Sequence, residues 1–305
     1  MSNKQSFYAN GKLLLTGEYF VLDGALALAL PCRRGQQLVV EHTAQETHYW
    51  KSYDDQERVW FEVRFDLSLR ILTTSDQPTA LRLQQILQYL QQIKPTLFTN
   101  GLDWTTKLSF PRRWGLGTSS TLLYNLAQWA EVNPYHLLFG TMGGSGYDIA
   151  CAGAKGPIYY FKSKDRGFAN SIPFSPDFRK QLYFVYLNKK QDSRAGIAHY
   201  KKNFRGDQGL IQQVSDLTQR IAKATDLSDF AAGLLAHEVL LSKVLALPRA
   251  QDLYFADYAG VIKSLGAWGG DFVLATSEQS SSETRAYFQQ KGFETVLSYN
   301  DMILK

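Results

Sequence analysis

The sequence predicts an α+β protein in two parts. Its first part is dominated by apolar runs suited to antiparallel strands. Its second part interleaves strands with amphipathic helices, and three glycine loops sit where strands and helices meet. With 305 residues, 45% of them hydrophobic and 20% charged, the chain suits two modest domains or one large one, with ample material for a core.

The elements follow in chain order. KLLLTGEYFVL and ALALAL are apolar runs split by the turn pair Asp23–Gly24. QQLVVEHT, THYWKSY and RVWFEVRF alternate as antiparallel strands do, with Asp54–Asp55 in a turn. TALRLQQILQYLQQI places Leu83, Ile86, Leu87 and Leu90 at helical spacing. LDWTTKLSF returns to a strand, WGLGTSST opens a helix, GSGYDIACAG is a short helix entered through glycines, and GPIYYF is a strand. Asn, Ser and Pro cluster between Phe168 and Phe178, which places a boundary there. Beyond it, QLYFVYLN is a buried strand. GLIQQVSDLTQRIAKA and LSDFAAGLLAHEVLLSKVLA are amphipathic helices. YFADYAGVIKSLGAWGGDFVLAT reads as helix, glycine loop and strand, and SSETRAYFQQKGFETVLSY as helix and strand.

The net charge of +5 is compatible with a phosphorylated ligand. The basic pairs Arg33–Arg34, Arg112–Arg113, Lys189–Lys190 and Lys201–Lys202 are scattered, with no basic stripe carrying interleaved aromatics, which argues against nucleic acid. Cys32 and Cys151 make neither a disulfide framework nor a metal spacing, so a reducing, cytoplasmic setting is expected. The first residues show no signal-peptide apolar region, and GALALALP is too short to span a bilayer.

The glycine loops carry the chemistry. In WGLGTSST, Gly115 and Gly117 permit a sharp turn and a close backbone approach, and Thr118, Ser119 or Ser120 can cap the helix that follows. Its first N–H groups and its dipole form an anion seat, and a serine hydroxyl there can ligate a phosphate-bound Mg²⁺. These residues alone favour the plainer reading, a capped strand-to-helix turn. A Walker-type loop is excluded because Gly-Lys-Ser/Thr is absent. A dinucleotide fingerprint fails because Ser120 stands where the third glycine belongs. In MGGSGYDIACAG, Asp148 falls in the first helical turn, where an acid complements the dipole with no further purpose. In IKSLGAWGGDFVLA, a helix stop and a tight turn account for Gly266, Gly269 and Gly270 almost as well as a ligand does.

Together, ANGKLLLTGEYFVLDGALALAL, RRWGLGTSST and GAWGGDF resemble the three signatures of the GHMP kinase superfamily, the galactose, homoserine, mevalonate and phosphomevalonate kinases. They appear in order and span nearly the whole chain. GSGYDIACAGAKGPIYYF looks most like phosphomevalonate kinase. The resemblance implies an N-terminal mixed-sheet βαβ domain over residues 1–172 that binds ATP, a C-terminal ferredoxin-like domain over 173–305, and an active site in the cleft between them. It implies an ATP- and Mg²⁺-dependent kinase of a small molecule in the mevalonate pathway, acting as a monomer or homodimer without membrane or nucleic-acid partners.

Residue by residue, the resemblance implies that Gly115, Leu116, Gly117, Thr118, Ser119 and Ser120 form the nucleotide loop, with Ser119 the Mg²⁺ ligand. Asp148 matches the catalytic aspartate, which takes the substrate hydroxyl's proton or orients the substrate. Lys12 matches a lysine that stabilises a developing alkoxide or the transferring phosphoryl group, and its plainer reading is a solvated strand-start lysine. Glu18 supports the site or pairs with a nearby cation. Ser145 and Gly146 would contact substrate. Gly266, Ala267, Gly269 and Gly270 would let backbone approach it, and Asp271 ends that loop. KKQDSRAGIAHY resembles a segment that would turn Lys190, Ser193 and Arg194 toward an acidic acceptor.

Two positions depart from the pattern. Leu137 stands where mevalonate kinase has a Mg²⁺-binding glutamate. Trp268 replaces a small residue and would narrow the pocket, stack on a ligand or fill the core. Phosphomevalonate ranks first as acceptor, mevalonate second and sugars third. A sugar kinase, a diphosphomevalonate decarboxylase-like enzyme and a non-catalytic ligand-binding protein are the alternatives.

Overall fold

The computed structural model describes residues 4–164 and 166–304. The chain runs through β1 (Gln5–Thr16), β2 (Ala27–Thr43), β3 (Thr47–Tyr53), β4 (Val59–Asp66), β5 (Ile71–Thr74), α1 (Gln77–Ile93) and β6 (Gly101–Leu108). Next come α2 (Thr118–Ala130), α3 (Pro134–Thr141), α4 (Tyr147–Gly153), β7 (Ile158–Ser163) and β8 (Arg166–Ser171). The remainder comprises β9 (Leu182–Tyr186), α5 (Ser193–Asn203), α6 (Gln208–Lys223), α7 (Leu227–Leu245), α8 (Ala250–Tyr254), β10 (Ile262–Ser264), β11 (Phe272–Thr276), α9 (Ser281–Gln290), β12 (Val296–Ser298) and α10 (Tyr299–Met302).

Two compact units divide the molecule, and neither is one continuous segment. The first comprises residues 1–11, 34–112 and 116–153; the second comprises 12–33, 113–115 and 154–305. In the first unit the strands lie in the order β5-β4-β3-β6, with Gln36–Thr43 of β2 beyond β6. β3 runs parallel to β6 while the other pairs run antiparallel, so the sheet is mixed. Alternation decides its faces: along β3, His48, Trp50 and Ser52 are buried and their neighbours half-buried. The inward side chains meet α1, whose Leu83, Ile86, Leu87 and Leu90 form the stripe that the helical spacing predicts.

In the second unit, Ala27–Ala29 of β2 pairs with β7, and β7 pairs with β8. A separate antiparallel sheet has the order β10-β11-β9-β12. Counting its strands from β9, the order is two-three-one-four, with helices between the first and second strands and between the third and fourth. This is the ferredoxin-like arrangement.

The structure corrects two local readings. YFADYAGVIKSL is not a helix up to its glycine loop: α8 ends at Tyr254, and Ile262–Ser264 forms β10, all three residues buried. Their burial against β11 outweighs the helical look of a short mixed segment. The polar stretch near Phe168 contains β8, an exposed strand whose composition hid it. No helix among the described residues is long and apolar enough to cross a membrane.

Candidate functional site

The first unit holds the start of α2. Gly117 is its N-cap, in the left-handed region at φ 92°, which favours glycine. No side chain caps the helix. That is unusual for this protein. Asp76, Asp192, Asp207, Asp226 and Ser280 cap every other described helix of ten or more residues. The four hydroxyls after Gly117, Thr118 to Thr121, therefore do not cap, and the structure sorts three of them. The Ser120 hydroxyl is buried and donates to the Gly117 carbonyl at 2.9 Å. The Thr121 hydroxyl donates to Gln36 Oε1 at 2.7 Å and lies within hydrogen-bonding reach of the Gly117 carbonyl at 3.1 Å. Ser119 is exposed, and its hydroxyl takes no such bond among the described residues. Leu116 is fully buried beneath the loop. The N–H groups of the first turn thus stay open, and the dipole favours an anion in front of them.

α4 follows Gly143, Gly144 and Gly146, all at positive φ. Added Cβ atoms at Gly143 and Gly144 would meet nothing within 4 Å, so this entry is open. Ser145 and Gly146 are buried and Asp148 is half-buried in the first turn. The Asp148 carboxylate accepts the Ile149 N–H at 3.1 Å. α4 packs against α2, where Gly153 meets the Tyr124 ring at a distance that admits no Cβ. The unit therefore holds the helix bearing Asp148 rigidly on the helix opened by Gly117. Leu137 on α3 is fully buried in the apolar core. Beside β4, the Arg112 guanidinium lies 3.5 Å from the centre of the Trp60 ring, a cation–π contact that the sequence did not announce.

The second unit holds residues 12–33, Gly115 and the GAWGGDF loop. Lys12 donates to the Gly115 carbonyl at 2.8 Å. Gly115, at φ 66°, faces the Asp271 carboxylate so closely that a Cβ could not fit. Asp271 is itself at φ 54° and 8% exposed. Its Oδ1 accepts the Gln191 N–H at 3.2 Å and its own N–H donates to the Lys189 carbonyl at 2.7 Å. Burial pushes its carboxyl up, while Lys12, the Gln191 N–H and Lys190 pull it back. Gly266 and Gly269 are left-handed, with open space where a Cβ would stand, and Ala267 is buried between them. Gly270 packs against Gln191.

Glu18 is 1% exposed and belongs to an internal ion cluster, which leaves its side chain no face for a substrate. Lys263 Nζ lies 2.5 Å from Glu18 Oε1 and 3.2 Å from Glu238 Oε1, and it donates to the Ser264 carbonyl at 2.6 Å. The Gly17 N–H donates to His237 Nε2 at 3.0 Å, so that nitrogen is unprotonated. Burial pushes Glu18 up to about 7, against the pull of Lys263, and also raises Glu238. Burial, then Lys263, holds His237 well below the ordinary imidazole value. Of the two expectations for Glu18, support for the site or pairing with a nearby cation, the structure shows the pairing. No sequence rule foresaw its partners, because Lys263 and Glu238 are paired with it by tertiary structure alone.

Trp268 fills the core. It is 4% exposed, its backbone N–H donates to the Tyr19 hydroxyl at 2.8 Å, and its indole N–H donates to the Pro248 carbonyl at 2.9 Å. Lys190, Ser193 and Arg194 are exposed around the start of α5. The start of α5 is not open: Asp192 caps it, accepting the Arg194 N–H at 2.8 Å. The cations remain, but the amides are taken.

No family model and no curated protein sequence matches the chain. Solved structures do. The Methanococcus jannaschii mevalonate kinase is 13% identical, with 99% of each chain covered and a TM-score of 0.73. The Streptococcus pneumoniae phosphomevalonate kinase, in complex with phosphomevalonate and AMPPNP, is 17% identical over 96% of this chain and 99% of that one, with a TM-score of 0.73. The Lactococcus lactis galactokinase complexed with galactose is 12% identical over 99% and 94%, with a TM-score of 0.69.

Proposed function

We propose that this chain, which has the two-domain fold of the GHMP kinases, is an ATP-dependent phosphotransferase acting on an acidic alcohol or phosphate ester, with phosphomevalonate first and mevalonate second. The observation that carries the reading is the start of α2, an uncapped helix N-terminus behind Gly117 in a protein whose other long helices are capped. Phosphoryl transfer needs aligned reactants and neutralised charge more than it needs covalent chemistry. The N–H groups of Thr118, Ser119 and Ser120 would take nucleotide phosphate oxygens.

Among the described residues, no group of three or more His, Cys, Asp or Glu side chains is placed to hold a metal ion. Mg²⁺ would therefore arrive with the nucleotide, with Ser119 its protein ligand. The exposed, uncommitted hydroxyl fits that role, and the buried Leu137 offers none. The ion would neutralise phosphate charge. Asp148 would take the acceptor's proton or orient the acceptor. Lys12 would stabilise the transferring group, and Lys190, Ser193 and Arg194 would bind the acceptor's anionic end. A phosphate acceptor is already ionised, which shifts Asp148 toward orientation. The loop with Gly266, Ala267, Gly269 and Gly270 would present backbone to substrate, and Ser145 and Gly146 would line the entry to α4. Residues 1–172 would form the ATP-binding domain and 173–305 the second domain, in a cytoplasmic monomer or homodimer.

The test is ADP release with phosphomevalonate, mevalonate and galactose, with CO₂ trapped when the acceptor is diphosphomevalonate. Transfer to phosphomevalonate or mevalonate, without CO₂, is expected. Preference for galactose, or CO₂ release, would replace the reading with a sugar kinase or a decarboxylase. ATP binding without turnover on any acceptor would make the chain a binding protein.

A further inference from the structure

A buried aspartate in a left-handed conformation, inside a glycine loop, is a costly choice. Glycine would adopt φ 54° without strain, and the loop already uses it at Gly266 and Gly269. A carboxylate at 8% exposure also loses most of its hydration. Both costs persist only where the surroundings fix the residue, and such outliers gather at functional sites. Here the surroundings are specific. The Asp271 carboxylate lies against Gly115, whose carbonyl accepts from Lys12. Lys12 and Lys190 are the cations acting on it. Its backbone N–H and its Oδ1 tie down Lys189 and Gln191 on either side of Lys190, and Gln191 in turn donates to the Trp268 carbonyl at 2.9 Å. One side chain thus lies against the first glycine of the nucleotide loop, whose carbonyl holds Lys12, and bonds the turn that carries the acceptor cations.

We propose that Asp271 is a positioning residue: its carboxylate aims the Lys12 ammonium at Gly115 and holds the Lys189–Gln191 turn. Its importance for catalysis rests on the kinase reading above. It makes no contact with a reacting atom, and it acts through Lys12. The acid that the sequence reads as ending a loop is therefore what keeps two separated cations in register.

Asp271→Asn tests this, because asparagine tolerates the left-handed region and keeps an acceptor for the Gln191 N–H while losing the charge. In active enzyme, Asp271→Asn is expected to lower kcat about tenfold, since misdirecting a group that acts on the transferring phosphoryl affects turnover more than KM for ATP. In a Lys12→Met background the same change is expected to alter kcat less than about twofold, because the side chain it aims is gone. Asp271→Gly relieves the strain and removes the carboxylate. It is expected to melt no lower than wild type yet match Asp271→Asn in rate. Equal losses with and without Lys12, or an Asp271→Gly variant as active as wild type, would overturn the proposal. A second readout needs no turnover: acetylation of Lys12 at pH 8, followed by mass spectrometry. Loss of the neighbouring charge favours the free amine, so Asp271→Asn is expected to label about three- to tenfold faster. If wild type transfers no phosphate to any acceptor, the kinase reading falls while the labelling still decides whether Asp271 controls Lys12; unchanged labelling would refute that control.

Discussion

Replacing Lys263 with methionine isolates the buried ion cluster. Methionine keeps the length and flexibility of the lysine stem and removes only the ammonium. Lys263, Glu18 and Glu238 are no more than 1% exposed, so solvent cannot stand in for the lost partner. Breaking a buried pair from one side costs about 3–5 kcal/mol, a large part of the roughly 5–15 kcal/mol that holds a typical protein folded. With a urea dependence of about 3 kcal/mol per molar, the midpoint should fall by about 1–1.7 M at pH 8. The pH dependence follows from the sign of the shifts. Glu18 and Glu238 are raised in the folded state, Glu18 to about 7 from 4.5. The native protein therefore binds more protons than the unfolded chain between those values. Stability from these groups is complete below pH 4.5 and is lost as pH rises through the folded values. Without the ammonium both carboxyls rise further, so the variant should lose stability more steeply with rising pH and draw closer to wild type near pH 5, where Glu18 is neutral. Urea unfolding followed by circular dichroism at pH 5 and pH 8 measures this. A midpoint shift below about 0.3 M at pH 8, or the same shift at both pH values, would refute the buried-pair account.

Four further outcomes are expected. Gly115→Ala should abolish most activity and lower the melting temperature, since the new methyl meets the Asp271 carboxylate at a positive φ; a variant with wild-type melting and kinetics would contradict that packing. Ser119→Ala should leave melting within about 0.5 kcal/mol of wild type, because the exposed hydroxyl caps nothing, while Mg-ATP turnover falls at least tenfold; unaltered turnover would remove Ser119 from metal binding. Asp148→Asn should retain ATP binding by calorimetry and lose about a hundredfold or more in turnover if Asp148 is the base, and much less if it only orients an ionised acceptor. His48 lies among Phe98 and Trp104, and burial depresses it below 6.5, so the native state binds fewer protons than the unfolded chain, and stability present above pH 6.5 is lost as pH falls through the folded value. His48→Phe should therefore shrink the drop in melting temperature between pH 7.5 and 5.5; a drop as large as that of wild type would clear His48 of the effect.

Local signals carried much of the fold. The stripe of Leu83, Ile86, Leu87 and Leu90 names a helix and its buried face, and Trp50 alternates with half-buried neighbours as its strand requires. The short buried β10 was misread, because three residues carry no periodicity and their state is decided by the strand beside them. The candidate site divides the same way. Glycine positions mark loops because backbone conformation is a local property, and the positive φ values of Gly115, Gly117, Gly143, Gly144, Gly146, Gly266 and Gly269 answer to that. Which serine stays open, and that Glu18 meets Lys263 rather than a ligand, depend on residues far apart in sequence. Asp271 was read as a loop end because nothing in GAWGGDF reveals that its carboxylate will face Gly115.

The interleaving of the two units sets an order on biogenesis. Residues 12–33 leave the ribosome early, yet Tyr19, Phe20 and Ala25 pack with Tyr200, Leu241 and Trp268, which are synthesised more than a hundred residues later. The first unit can close once residue 153 has emerged, and it must do so around a loop of apolar side chains whose own core does not yet exist. A nascent or truncated chain ending near residue 172 therefore displays those rings to solvent. Such surface invites chaperone capture during translation and precipitation when the N-terminal half is expressed by itself.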